Sequence, residues 1–171
     1  MSASRAEVQI FSKRRSELLD GLSAISADTT TPPSGDVLQR LLSLLKANDA
    51  GVREAAILAV GTHWGAPDAF PVIVGMLEGA EQDPAVLEAA STAVGAYAST
   101  RPEYRIRSLR ALARVALRPD FDPELRAIAY LNAAHAAGLI DVREFAKKSA
   151  AAMGIDELSP DWGWLQATAN V

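Results

Sequence analysis

Residues 49–61, DAGVREAAILAVG, return 34 positions later as DPAVLEAASTAVG at 83–95, with 8 of 13 places identical. A third, more diverged copy, DPELRAIAYLNAA, occupies 122–134, 39 positions after the second. An acid opens each copy (Asp49, Asp83, Asp122), a branched apolar residue follows three later (Val52, Val86, Leu125), and an alanine follows seven later (Ala56, Ala90, Ala129). These offsets fall along one side of a helix. In Asp83-Pro84 and Asp122-Pro123 the carboxylate can accept orphan amide hydrogens, and proline at the first helical position has no amide hydrogen to leave unpaired. Each copy therefore opens a helix.

Between the copies, helical periodicity predicts second helices at 67–80 and 102–117, and a further one at 140–153. A helix of about a dozen residues with one apolar stripe cannot bury that stripe alone, so such hairpins must stack, with a period in the thirties. The many alanines (Ala55, Ala56, Ala59, Ala89, Ala90, Ala93) let neighbouring helices approach closely. Upstream, Val8, Phe11, Leu18, Leu19, Leu22 and Ile25 predict a first helix from about Ser4 to Ser26, and ADTTTPPSG at 27–35 reads as a linker. Asp36 is expected to cap a strongly apolar helix carrying Val37, Leu38, Leu41, Leu42, Leu44 and Leu45. At the other end, Ser159 and Pro160 suggest the start of a last helix containing Trp162 and Trp164. The expected organisation is one structural domain: an N-terminal helix and linker over 1–35, repeats over 36–154, and a capping segment over 155–171.

The stretch LLSLLKANDAGVREAAILAVGTHWGAPDAFPVIVGMLE, residues 41–78, resembles a HEAT repeat of the short bacterial kind first named for phycobilisome lyases. Asp49, Val52, Arg53, Ala56, Ala59 and Gly61 match that pattern. The second copy keeps Asp83, Val86, Ala90, Ala93 and Gly95 but has Leu87 in place of the arginine. The third keeps Asp122, Leu125, Arg126 and Ala129 and has Ala134 in place of the glycine. The resemblance covers roughly residues 36–154 and implies an all-α, right-handed α-solenoid of stacked antiparallel helical hairpins, with about three repeats and a terminal helix at each end. It specifies architecture strongly and activity hardly at all.

The chain contains no cysteine, which excludes a disulfide framework, a thiolate metal site and a cysteine nucleophile. No apolar run is long enough for a membrane span, and MSASRAEVQIFSKRRSELLDG mixes charges where a signal peptide needs an apolar core, so a cytoplasmic protein is expected. A net charge of −4 and a pI near 5.2 argue against a generic nucleic-acid binder. The charge is nevertheless segregated. From Glu54 to Thr100 there are six acids and no Lys or Arg, whereas Arg101 to Arg118 holds six arginines and a single acid, Glu103.

Four of those arginines, Arg107, Arg110, Arg114 and Arg118, recur at steps of three and four and form a longitudinal stripe. Beside it, Ile106, Leu109, Ala113 and Leu117 form an apolar stripe for the core. A solvated outer face accounts for the arginines at no functional cost. A ridge facing an acidic protein or phosphates accounts for why four like charges share one line. Trp64, in GTHWGAPDAF, is expected to pack over the hairpin turn or to serve as a binding contact; His63 with Asp68 lacks a nucleophile at a diagnostic position. His135 is expected to be a half-buried structural histidine. Trp162 and Trp164 cannot face the same way on one helix, which leaves one free to anchor a partner.

No phosphate-binding glycine loop, dinucleotide fingerprint, zinc spacing or HExxH occurs, so no cofactor, metal or catalytic residue is assigned. The sequence therefore points to a non-catalytic protein–protein interaction module or scaffold subunit. The ridge and the three tryptophans are its candidate contacts, and its expected partner is another protein, one with an acidic surface where the ridge makes the contact. An immunity or assembly-chaperone role, a HEAT-like lyase subunit and a DNA-glycosylase-like enzyme are the alternatives.

Overall fold

The structure, a computed structural model, describes residues 4–28, 33 and 35–171; most of the proposed 27–35 linker lies outside them. The described residues form ten α-helices and no strand. In chain order they are α1 (Arg5–Gln9), α2 (Arg15–Ala27), α3 (Gly35–Leu44), α4 (Ala50–Ala56), α5 (Phe70–Gly75), α6 (Pro84–Thr100), α7 (Arg105–Leu117), α8 (Pro123–Ala137), α9 (Val142–Ala150) and α10 (Trp162–Ala169). Short 3₁₀ turns at Pro67–Ala69 and Pro102–Tyr104 lead into α5 and α7, and π-helical segments at Ile57–His63 and Met76–Ala80 extend α4 and α5. Each repeated segment starts a helix, as its sequence requires. Asp49 accepts from the amide of Val52, Asp83 from those of Ala85 and Val86, and Asp122 from that of Glu124.

The first helices of the hairpins, α2, α4 with its extension, α6 and α8, pack side by side in one layer; α5, α7 and α10 form the second. Each second helix also leans on the next first helix: α3 on α4, α5 on α6 and α7 on α8. The consequence for α6 is burial on almost every side, with only Pro84, Ala85, Glu88, Thr92, Ala96, Ser99 and Thr100 reaching the surface. Two glycines make this approach possible. A Cβ on Gly61 would lie 2.6 Å from Ile73 Cδ1 and 3.1 Å from Ala93 Cβ, and one on Gly95 would lie 2.2 Å from Asn132 Oδ1.

Arginines of the first layer fasten successive hairpins. Arg53 donates from Nη1 to the carbonyls of Ala47 and Asn48 beyond α3, and its Nε and Nη2 reach the Glu81 carboxylate at 2.7 and 2.9 Å ahead of α6. Arg126, at the same place in the third copy, donates from Nε to the carbonyl of Ala116 near the end of α7. Leu87 cannot do this in the second copy, where the preceding segment, Met76–Ala80, is kinked at Gly79 (φ 120°).

The terminal regions depart from the sequence expectations. The predicted helix from Ser4 to Ser26 is broken: Ser12 accepts from the Arg14 amide and donates to Glu17, and α1 folds back onto α2. That fold-back buries Ile10 completely but leaves Val8 and Phe11 62% and 53% exposed. Gly21 permits it, because a Cβ there would meet the backbone nitrogen of Ile10 at 2.9 Å. Asp36 sits inside the first turn of α3 and not at its cap. The predicted helix at 140–153 forms as α9 but buries no residue and lies against the outside of α8; α10 takes the second-layer place beside α7. The last helix starts at Trp162, capped by Asp161 through the Trp164 amide, because Ser159 adopts the left-handed conformation (φ 50°) and cannot lead into it.

Two stability consequences follow from the stacking. Gly95→Ala should destabilise by about 1–3 kcal/mol through overpacking against Asn132, whereas Gly75→Ala, with nothing within 4 Å of the new methyl, should not; thermal melts of the two variants decide this. Glu81→Ala leaves an uncompensated, mostly buried Arg53, whose side chain is 15% exposed, and should cost about 3 kcal/mol. Burial pushes the Glu81 carboxyl up, but the bonds from Arg53 and the Asp83 and Gln82 amides outweigh it and hold the pKa below its ordinary 4.5. The wild-type advantage over Glu81→Gln is therefore full above pH 4.5 and fades as the pH falls through the lower folded value, which acid titration of the two proteins by circular dichroism measures.

Candidate functional site

The outer side of α7 carries the arginines that the sequence singles out. Pro102 and Glu103 in the 3₁₀ turn before it, and Arg105, Ile106 and Arg107 in its first turn, are all exposed, Ile106 by 65%. Tyr104 holds that end of the helix in place by stacking on Phe70 at 4.1 Å, edge-on to Tyr97, whose hydroxyl donates to the Ala66 carbonyl at 2.6 Å. The surroundings of this site are thus anchored in the preceding hairpin. Ile106 does not join the core, contrary to the sequence expectation. Ala113, two turns further on the same side, is fully buried and Leu109 and Leu117 are half-buried, but the first turn of α7 stands clear of its neighbours.

The four arginines meet different fates. Arg107 is exposed, with a loose 3.5 Å contact to Glu78 and its guanidinium 5.8 Å from the centre of the Phe70 ring. Arg110 is half-buried, and its Nε is covered without a hydrogen-bond partner. Arg114 is exposed but donates from Nε to the Ala169 carbonyl at 3.2 Å, bracing α10 against α7. Arg118 lies beyond the helix end, at ψ 110°, so the stripe does not continue to it; it is paired with Asp120 and lies over the Phe121 ring at 3.9 Å. The stripe is therefore Arg107, Arg110 and Arg114; Arg105 is the exposed arginine that the periodicity left out, and Ile106 the residue that it placed in the core and the structure leaves in solvent. Exposure at the edge of a stack carries no signature in the spacing of apolar residues.

The aromatic candidates also separate. Trp64 is half-buried against the core with its Nε1 covered and unpartnered. Trp164 is half-buried against the core, while Trp162 is 37% exposed with the Arg126 guanidinium 5.8 Å from its ring. His63 is exposed and is not hydrogen-bonded to Asp68; His135 is half-buried, stacked on Phe145 at 5.0 Å. Among the described residues no group of three or more His, Asp or Glu is placed to hold a metal ion, and no helix is long and apolar enough to cross a membrane.

With this geometry in hand, the comparison with protein families is direct: the family model for HEAT repeats matches residues 38–134. The chain is a HEAT-repeat protein. The matched region runs from α3 to the end of the third repeated segment in α8, and so covers the central part of both layers but not α2 or α10. No curated protein and no solved structure matches the chain.

The outer face of the HEAT first layer has the opposite charge. Glu88 stands on the exposed edge of α6, and partial burial, followed by the nearby Glu124, Asp122 and Glu54 carboxylates, pushes its carboxyl above the ordinary 4.5. A raised folded-state value means that ionised Glu88 opposes folding at neutral pH and stops doing so once protonated. Glu88→Gln should raise the Tm by about 1–2 °C at pH 7 and lose that gain below pH 4.5, as paired thermal melts across pH will show.

Proposed function

We propose that this HEAT-repeat chain is a non-catalytic interaction module that holds an acidic partner protein against the outer face of α7. The observation that carries this is Ile106, 65% exposed between Arg105 and Arg107. An apolar anchor flanked by guanidinium groups is the composition of an energetic hot spot, where desolvation by the anchor strengthens bidentate pairing with carboxylates. Arg107, Arg110 and Arg114 extend the cationic surface along the helix, and Glu78 is the one acid paired with any of them among the described residues. Trp162 supplies a second, aromatic contact elsewhere on the stack. The scaffold itself favours this use, because HEAT hairpins spend their apolar faces on one another and leave a rigid, shaped exterior.

Arg105 and Arg107 are the positions to change, since Arg114 also braces α10 and Arg118 is already paired within the chain. Arg105→Glu/Arg107→Glu is expected to weaken binding of the partner recovered with wild-type protein from its native host by at least about tenfold, with helicity and Tm unchanged. A variant that retains the same partner at wild-type affinity rejects the ridge.

A further inference from the structure

The face of the stack opposite the arginines contains a groove of about 400 Å³, open to solvent and lined by first-layer helices and α9. Its apolar floor is Leu58 on the extension of α4, Ala89 on α6, Ile128 on α8 and Phe145 on α9. Leu58, Ile128 and Phe145 are only half-buried, so a partner side chain could still cover them. Glu54 and Glu88 stand at its edge, and no Lys or Arg lines it. Neither carboxylate forms an ion pair among the described residues, although charged partners are found for Glu17, Asp49, Glu78, Glu81, Asp120 and Glu144.

We propose that this groove is a docking site for a basic, amphipathic segment of a partner protein, which seats an apolar side chain on Leu58, Ile128 and Phe145 and places Lys or Arg against Glu54 and Glu88. Charge complementarity selects that occupant. Asp122 and Glu124 lie near enough to raise the Glu88 carboxyl, so the field over the groove is negative well beyond its two lining acids and repels nucleic acid and acidic proteins alike. Neutralising ionised Glu88 also removes the repulsion that it suffers in the free protein. The groove lies on the other layer from Ile106 and its arginines, so the site is independent of the proposed ridge and makes the HEAT stack a two-sided adaptor.

The probe is a fluorescent 14-residue amphipathic peptide of Leu and Lys, titrated into the full chain and followed by anisotropy. Saturable binding is expected, weakened at least about tenfold by Glu54→Gln/Glu88→Gln and by Leu58→Ser/Ile128→Ser, and unaltered by Arg105→Glu/Arg107→Glu. The acid pair is the decisive variant, because removing its repulsion should leave the fold as stable as wild type. Asp68→Asn/Glu103→Gln, which changes the net charge equally at exposed positions outside the groove, should alter affinity less than about twofold. Equal weakening by this control, equal binding of a Ser and Lys peptide of the same charge, or no saturable binding overturns the proposal. So does sedimentation showing that the chain self-associates and that either the arginine pair or the acid pair of substitutions abolishes this, since a second copy would then be the occupant.

Discussion

The close approach of the first-layer helices is the constraint on which this structure rests. Helix α6 is flanked by the extended α4 on one side and α8 on the other, with α5 and α7 beneath. That arrangement needs backbone-level contact at Gly61 against Ala93 and at Gly95 against Asn132. Larger side chains there would push the helices apart and open the shared core, so the alanine and glycine content of the repeats expresses geometry more than helix propensity.

Burying α6 so thoroughly creates a second problem, the unpaired carbonyls where each second helix ends. The first-layer arginines answer it. Arg53 and Arg126 reach back from equivalent places in the first and third copies to carbonyls near the ends of α3 and α7. Arg53 also reaches forward to Glu81, and so one side chain joins three consecutive segments. The second copy lacks this device: Leu87 stands in that position, and the preceding helical segment carries the non-helical Gly79 one residue before its end.

Because apolar surface is consumed between hairpins, the two outer faces are free to differ in charge. Helix α7 carries an arginine-rich outer edge, while the edges of α4, α6 and α8 carry Glu54, Glu88 and Glu124 without an intervening cation. A layered stack spreads them over two surfaces, an arrangement suited to contact with other macromolecules.

The repeated motif was enough to determine the helical hairpins, their starts at Asp49, Asp83 and Asp122, and the membership of the HEAT family, because caps and apolar periodicity are local properties of the chain. The charge segregation and the candidate arginines were equally legible. Tertiary structure alone decided which of them remain available: Arg118 is taken by Asp120, Arg114 braces Ala169, and Ile106 is left in solvent although its spacing matches the core. It also decided that α10 and not α9 completes the second layer, and that Leu58, Ile128 and Phe145 share one groove. Local spacing specifies which face of a helix is apolar; whether another helix arrives to cover a given turn depends on residues distant in sequence, and only the packed stack contains that information.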